Sequence, residues 1–443
     1  MKKLVTIAGA VATRSGYGNH TRDIVRALIN SEKYEVNIIS LPWGNCPMTA
    51  LSPDTDQDII SRIIGPQLNR QPDIFIQISV PNEFQAVGKY NIGITAGIET
   101  TACAPEWIEG CNRMNKIITV SNHSRDIFLK TVFDKIDEAS KQKIGELRVT
   151  TPVEVLFEGV DTDVFTPQRQ LTDSVITELK DIPEKFCFLF VGHWLKGDIG
   201  QDRKDVGMLV KVFAELFKNK PPKSRPALIL KTSGATFSIM DRDEIMRKLN
   251  FILQPYGNTA PNVYLLHGDM TEPEINALYN HPKIKAMVSF TKGEGYGRPL
   301  AEFACIGKPI IATNWSGHID FLDNKYTLLI PGKLTEIHES ATDNHLMKGS
   351  QWFTVDYNAA AQAMFAVYSN YDAYLVPAKK QMERMQNMFT LEHMNKQLID
   401  MIENEAQSLP TPMQLVLPKL RKIENTETPK ITLPKLKKIE ATA

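Results

Sequence analysis

Glu294 and Glu302 enclose seven residues in the run Gly293-Glu294-Gly295-Tyr296-Gly297-Arg298-Pro299-Leu300-Ala301-Glu302. One carboxylate sits in a glycine turn and the other inside the helix-like segment that follows, so the two can grip different parts of one ligand. The backbone N–H groups of such a turn, together with the start of a helix, suit an anion. An apolar, strand-like segment, 286–290, precedes the run. A helix-like segment ends at Gly307, and a second strand-like segment, 308–313, follows. The loop therefore lies at the carboxyl end of a strand, where open α/β sheets bind their ligands.

Holding this loop in place requires a sheet, and the rest of the chain supplies the pattern for one. Apolar strand-like runs occur at 4–8, 34–40, 73–78, 91–96 and 116–120. They resume at 186–191, 227–231, 263–266, 286–290 and 310–313, with helical patterns between most of them. In the first of these helices, 20–30, Ile24, Ala27 and Leu28 share a face, and Asn19 is the expected cap. Repeated β-α units predict α/β architecture with doubly wound parallel sheets. The polar stretch up to Glu184 separates two halves, and helices at 359–387 and 391–406 close the folded part. At 443 residues the chain can form two or three domains with sizeable cores. Hydrophobic residues make up 42% and charged residues 23%, ordinary for a globular protein. Lys+Arg and Asp+Glu are both 51, so overall charge points to neither a polyanionic nor a polycationic partner. Five cysteines, none in a C-x-x-C pair, support neither a disulfide framework nor a zinc site and fit a reducing, cytoplasmic compartment. The apolar run 4–12 after Met1-Lys2-Lys3 reads as a buried strand and its loop, not as a signal peptide. No run approaches the ~20 apolar residues of a membrane span.

The glycine run resembles the E-G-F-G-x-P-x-x-E loop of retaining nucleotide-sugar glycosyltransferases of the GT-B fold, family-4 type, with Tyr296 where Phe is usual. Other segments carry the same resemblance. The stretch 155–165 is similar to the family's inter-domain N-G-V-D-x-x-x-F, with Glu158 replacing Asn. The stretch 203–213 is similar to its K-G-x-x-x-L-x-x-A-F helix start, with Asp205 replacing Gly. Ser15-Gly16-Tyr17-Gly18 is similar to its G-G-x-G loop, although a lone G-x-G is usually just a turn. Soluble bacteriophage-encoded enzymes also resemble the Ser-Gly-Tyr-Gly opening and the Arg-Lys-Asp segment. The resemblance covers residues 1–405 and is stronger in the second half.

The resemblance implies two Rossmann-like domains facing a cleft. Residues 1–165 would form the acceptor side and 166–385 would bind the nucleotide sugar. Residues 386–408 would form a helix crossing back to the first domain, and 409–443 a separate tail. The implied roles follow residue by residue. Arg203 and Lys204 would neutralise a departing diphosphate, as a fork-shaped and a mobile cation suit phosphates; a positive pair at a helix start opposes the helix dipole, so another reason for it is expected. Lys196 is a rival, and a solvated surface pair is the plain alternative. Glu294 would bind donor-sugar hydroxyls and Glu302 the ribose hydroxyls. The backbone of Gly295, Tyr296, Gly297 and Arg298 would face the phosphate or sugar. Gly16, Tyr17 and Gly18 would abut the phosphates on closure. Thr232 and Ser233 would line the nucleotide site, and Gly268, Asp269 and Met270 would read the base. Glu99 stands where many relatives carry a histidine near the transferred sugar; it takes that polar role or is a strand-end glutamate with none. His123 either faces the cleft or caps a helix. Glu294, Glu302 and Lys204 are expected in an open cleft.

No cofactor and no metal are expected, with a nucleotide-diphosphate sugar, UDP-sugar above all, as co-substrate. Three D-x-D triplets, Asp54–Asp56, Asp161–Asp163 and Asp241–Asp243, are common by chance, and no His/Asp/Glu cluster has catalytic-metal spacing. The expected function is retaining glycosyl transfer, hexosyl or pentosyl, to a glycan, a small molecule or hydroxymethylated DNA, the last being the phage-type reaction. The alternatives are a nucleotide-sugar epimerase of the same fold and a non-catalytic nucleotide-sugar-binding module. In the tail, Leu417-Pro-Lys-Leu-Arg-Lys-Ile-Glu424 recurs as Leu433-Pro-Lys-Leu-Lys-Lys-Ile-Glu440, and prolines forbid a continuous helix. With seven Lys/Arg against three Glu from Leu409 onward, it reads either as a docking peptide for a protein partner or polymer, or as a solvated tail.

Overall fold

Two all-parallel six-stranded sheets organise the chain, and both have the buried, nearly all-apolar strands that helices on two faces demand. The computed structural model describes residues 2–65, 67–168, 171–234, 236–343 and 346–408. The duplicated tail motif, 409–443, lies outside the described residues.

The first half contains β1 (Lys3–Gly9), α1 (Gly16–Asn30), β2 (Tyr34–Ser40), α2 (Gln57–Ile60), β3 (Ile74–Ile78), β4 (Tyr90–Thr95), α3 (Pro105–Asn112), β5 (Lys116–Thr119), α4 (Asn122–Lys130), β6 (Phe133–Ile136), β7 (Lys143–Leu147) and β8 (Val153–Val155). The second contains α5 (Asp173–Leu179), β9 (Cys187–His193), α6 (Val206–Phe217), β10 (Ala227–Ser233), α7 (Ile239–Leu253), β11 (Val263–Leu266), α8 (Glu272–Asn280), β12 (Ile284–Ser289), α9 (Arg298–Ala304), β13 (Ile310–Thr313), β14 (Leu328–Ile330), β15 (Gly332–Glu336), β16 (Gln351–Val355) and α10 (Tyr357–Ser369), then α11 (Leu375–Met388) and α12 (Leu391–Ser408). The sheet orders are β2-β1-β3-β4-β5-β8 and β11-β10-β9-β12-β13-β14. In each, the chain reverses its direction of travel beside the first strand, at β1/β3 and at β9/β12. Crevices open at the carboxyl ends of strands at such switch points.

α12 places Met394, Leu398 and Ile402, all buried, in one apolar cluster with Ile24, Val25 and Leu28 of α1 and with β1 and β3. Lys116, on β5, pairs with Glu405 at 2.7 Å. The chain thus returns to the first sheet after completing the second.

Several local expectations differ from the structure. Ser15, not Asn19, caps α1: its Oγ accepts from the Gly18 N–H at 3.0 Å, and the helix begins at Gly16. The Gly-Tyr-Gly segment is therefore the first helical turn and not a free loop. A Cβ at Gly18 would lie 2.1 Å from the Thr13 carbonyl oxygen, so the glycine permits close packing. The helix expected over 359–387 is two helices, parted at Asn370; Pro377, in the first turn of α11, has no N–H to continue a ladder. The polar stretch before Glu184 contains α5. Two antiparallel hairpins, β6–β7 and β15–β16, were not anticipated.

Candidate active site

The loop after β9 and the loop after β12 meet. Arg203 Nη1 donates to the Gly293 carbonyl at 2.9 Å and lies 3.4 Å from Glu294 Oε2. Lys204 Nζ pairs with Glu294 Oε1. From the other sheet, Glu99, just beyond β4, brings Oε1 to 3.7 Å from Arg203 Nη1. Four of the charged residues singled out above thus converge, although 90 or more residues separate the three segments that carry them.

The convergence is not an open cleft. Glu294, Glu302 and Lys204 are each 8% exposed. The reason is close backbone packing: a Cβ at Gly293 would lie 2.0 Å from the Glu99 carbonyl oxygen, and one at Gly295 1.9 Å from that of Ala96. Only glycine lets the β12 loop approach the end of β4 so closely. Burial by itself would raise the Glu294 carboxyl; the Lys204 and Arg203 charges outweigh it and hold it down to about 2.

Glu302 is buried beside different partners. It accepts from Arg298 Nε at 3.1 Å and from the Tyr279 hydroxyl at 3.3 Å. Burial pushes its carboxyl up to about 7, against the pull of Arg298. Arg298 also reaches Asp23 of α1 at 2.8 Å and Glu158 at 3.8 Å. With Arg14–Asp269 at 2.8 Å and Asn19–Glu272 at 3.3 Å, this pair joins the α1 region to the second half. Glu158, where the resemblance expects Asn, is pushed up to about 7 by burial, with Arg298 opposing.

The remaining expected site residues divide. Tyr17 donates to or accepts from Thr95 at 3.0 Å, accepts from the Ala96 N–H, and stacks on Trp43 at 3.9 Å, so its side chain braces the end of β4. Tyr296 is buried, its ring turned into the core against Phe321. Gly297, with φ +100, caps α9, a helix of 7 residues. Thr232 and Ser233 end β10, where Ser233 Oγ lies 3.2 Å from His193 Nδ1; Thr232 Oγ1 is buried with no hydrogen-bond partner. Gly268, Asp269 and Met270 follow β11 and line a cavity of about 230 Å³ with Leu266, Ser174 and Glu178. His123 does not cap α4, since Ser121 does, accepting from the Ser124 N–H. Its half-buried ring meets Trp315 edge-on at 4.6 Å, its Nε2 has no partner, and burial lowers it to about 4. Lys196 is drawn away, donating to the Thr342 carbonyl at 3.0 Å. The aspartate triplets are engaged locally, for example Asp241 with His267 at 2.7 Å and Asp56 with the Ser52 N–H at 2.8 Å. Among the described residues no three His, Cys, Asp or Glu are grouped to hold a metal ion. No helix among them is long and apolar enough to cross a membrane.

Sequence reading missed the segment that holds Glu294. Ser316 Oγ accepts from the Glu294 N–H at 2.9 Å, and the Gly317 N–H donates to the Glu294 carbonyl at 3.0 Å. His318, wholly buried, lies next to them, with Nε2 2.6 Å from the Thr313 carbonyl oxygen. The signal available was Ser316 and His318 in the run Asn314-Trp315-Ser316-Gly317-His318, just after a strand.

No protein-family model matches the chain, and no curated protein matches its sequence. Solved structures do match in shape. A glycosyltransferase from Rickettsia africae superposes with a TM-score of 0.61 at 16% identity, over 92% of this chain and 99% of that one. Sucrose-phosphate synthase of Thermosynechococcus elongatus gives 0.60 at 12%, over 91% and 99%. HepE of Anabaena, in complex with UDP and glucose, gives 0.53 at 12%, over 91% and 100%. The fold is GT-B. At these identities the likeness speaks for architecture alone, so chemistry must be argued from the side chains.

Proposed function

We propose that this chain transfers a sugar from a nucleoside-diphosphate sugar to an acceptor hydroxyl, with retention at the anomeric carbon, in the family-4 manner. The observation that carries the reading is the meeting of Arg203 and Lys204 with Glu294 at the carboxyl ends of β9 and β12, opposite Glu99. Two cations held by one carboxylate form a preorganised place for a second, more highly charged anion. The diphosphate takes the two cations, and Glu294, released from them, accepts hydrogen bonds from donor-sugar hydroxyls. The ribose hydroxyls exchange with Arg298 and Tyr279 at Glu302. The base lies toward Gly268, Asp269 and Met270, with Thr232 and Ser233 beneath. Gly16 to Gly18 and the backbone of Gly295 to Arg298 close on the phosphates.

In the chemical step the bond from the anomeric carbon to the diphosphate oxygen breaks while Arg203 and Lys204 compensate the growing charge. The acceptor hydroxyl adds from the same face, and its proton passes to the departing phosphate oxygen. Glu99 and His123 flank the acceptor side, which the half built on the first sheet provides. Packing as tight as that of Gly293 and Gly295 keeps water out. The acceptor is a glycan, a small molecule or a hydroxylated base of phage-type DNA, and the reaction belongs in the cytoplasm. Uracil is the first base to try, because HepE of Anabaena shares the fold and is seen with UDP-glucose.

The test is incubation with a panel of nucleotide sugars, with and without sugars and hydroxymethylated DNA, in the presence and absence of chelator, followed by mass spectrometry. The reading predicts one added sugar on an acceptor with release of nucleoside diphosphate. Isomerisation of the donor without any acceptor would make the chain an epimerase. Binding without turnover across the panel would make it a non-catalytic module.

A further inference from the structure

Behind the Arg203–Lys204 turn lies a buried polar cluster that none of the proposed substrate contacts uses. Asp202 and Asp205 are 0% exposed and Lys292 is 1% exposed. Lys292 Nζ lies 3.4 Å from Asp205 Oδ2 and donates to Thr354 Oγ1 at 3.0 Å. Thr354 Oγ1 in turn lies 2.7 Å from Thr335 Oγ1, across the β15–β16 hairpin. The Tyr357 hydroxyl donates to Asp205 Oδ2 at 2.7 Å. The main chain of Lys292 is tied on both sides: its N–H donates to the Arg203 carbonyl at 2.7 Å, and its own carbonyl accepts from the Phe353 N–H at 2.9 Å. Lys292 is therefore the joint at which the cation turn, the glycine loop and the hairpin meet. The hairpin also reaches Thr101, two residues beyond Glu99, through a reciprocal pair at 2.8 and 2.9 Å with Gln351.

Such a cluster is costly unless it holds something in place. Asp205 has φ +53, a left-handed backbone that non-glycine residues adopt at some cost. It occupies the position where the family resemblance expects glycine, and its carboxylate is what the ammonium of Lys292 meets. One lysine serves two buried carboxylates, and burial with Asp205 alongside pushes the Asp202 carboxyl up to about 7. Without the ammonium, Asp205 would be a buried charge held only by Tyr357, and the turn that carries Arg203 and Lys204 would shift to relieve it.

We infer that Lys292 is a positioning residue of the donor site, fixing the Arg203–Lys204 turn against Glu294 through Asp205 and the β15–β16 hairpin. This rests on the glycosyltransferase reading. A role acting through a charge pair differs from plain core support in one measurable way: neutralising both partners should repair what neutralising one destroys.

The experiment measures UDP binding by calorimetry and UDP release from UDP-glucose for four proteins: wild type, Lys292→Met, Asp205→Asn, and the double variant. Asn tolerates the left-handed backbone as Asp does. Lys292→Met should raise the UDP Kd about tenfold and lower UDP release about 10²-fold, the order of loss that a displacement near 1 Å produces. The double variant should recover at least tenfold of that release. A Lys292→Met protein with wild-type Kd and release overturns the inference, and so does a double variant as impaired as the single one. Where the panel selects another nucleotide sugar, that donor and its diphosphate replace UDP-glucose and UDP, and a wild-type protein that neither binds nor cleaves any of the panel overturns the donor-site reading itself, and this inference with it.

Discussion

Replacing Glu294 by Gln should strengthen UDP binding while abolishing transfer. In the free protein the Glu294 carboxylate occupies the cations that the diphosphate is proposed to take, at 3.4 Å from Arg203 and in direct contact with Lys204. Two unit charges at 3.4 Å attract by about 5 kcal/mol at an effective dielectric near 20. The phosphates return most of that attraction when they replace the carboxylate. The remaining advantage of removing the competitor is about 1–2 kcal/mol, or five- to thirtyfold in Kd. Turnover should fall at least ~10²-fold, because a neutral amide is a weaker acceptor than a carboxylate for the donor-sugar hydroxyls that Glu294 is proposed to hold. Stability should move in the opposite direction to affinity. Breaking a buried pair from one side costs about 3–5 kcal/mol, so the free variant melts below wild type. UDP at 100 times its Kd should restore about 2.7 kcal/mol. Calorimetry with UDP and melting with and without UDP read both effects. If the variant binds UDP no more tightly than wild type and melts like it, the carboxylate does not compete with phosphate, and the site assignment is wrong.

Glu99→Gln should lower sugar transfer while leaving the UDP Kd within about fivefold, since its contact with Arg203 is a partly exposed pair; equal loss of UDP binding would move Glu99 from the sugar to the nucleotide. Glu302 supplies a pH test. Burial raises its carboxyl from 4.5 to about 7, so between those values the folded chain holds a proton that the unfolded chain has lost. Stability therefore falls as pH rises through that window, and Glu302→Gln should flatten the slope by up to about 1.4 kcal/mol per pH unit in denaturant titrations at pH 5, 6 and 7. An unchanged slope would mean that Glu302 is already ionised in the folded protein. Removing residues 409–443 should leave UDP release from UDP-glucose within about twofold and weaken recruitment to a larger partner, since no proposed site residue is lost; loss of release would tie the tail to the fold.

The sequence alone indicated the architecture, through its β-α pattern and its resemblance to GT-B enzymes, and singled out most of the charged residues that the structure gathers at the candidate site. Period is a local property, and short apolar runs such as 4–8 and 186–191, alternating with helical patterns, read as strands buried on both faces. The GT-B expectation agrees with the two six-stranded parallel sheets. Arg203, Lys204, Glu294 and Glu302, the residues proposed to neutralise phosphate and accept hydroxyls, also stood out as charges beside glycine turns and strand ends. Pairing was decided by tertiary structure, because a charge selects among partners brought close by distant segments. Arg298, read as part of a glycine loop, pairs with Asp23 of α1, 275 residues away in sequence. Glu294 turned out buried because Gly293 and Gly295 lie against the backbone of the first half, which no spacing within the motif encodes. The cap of α1 passed from Asn19 to Ser15 because the helix starts one turn earlier, where Gly18 packs on Thr13. The β15–β16 hairpin was missed because its strands are only 5 residues each, too short to show a readable period. It is held by the buried Trp352 and Val355 and by Thr354, which meets Lys292, contacts that form only when distant segments of the second half come together.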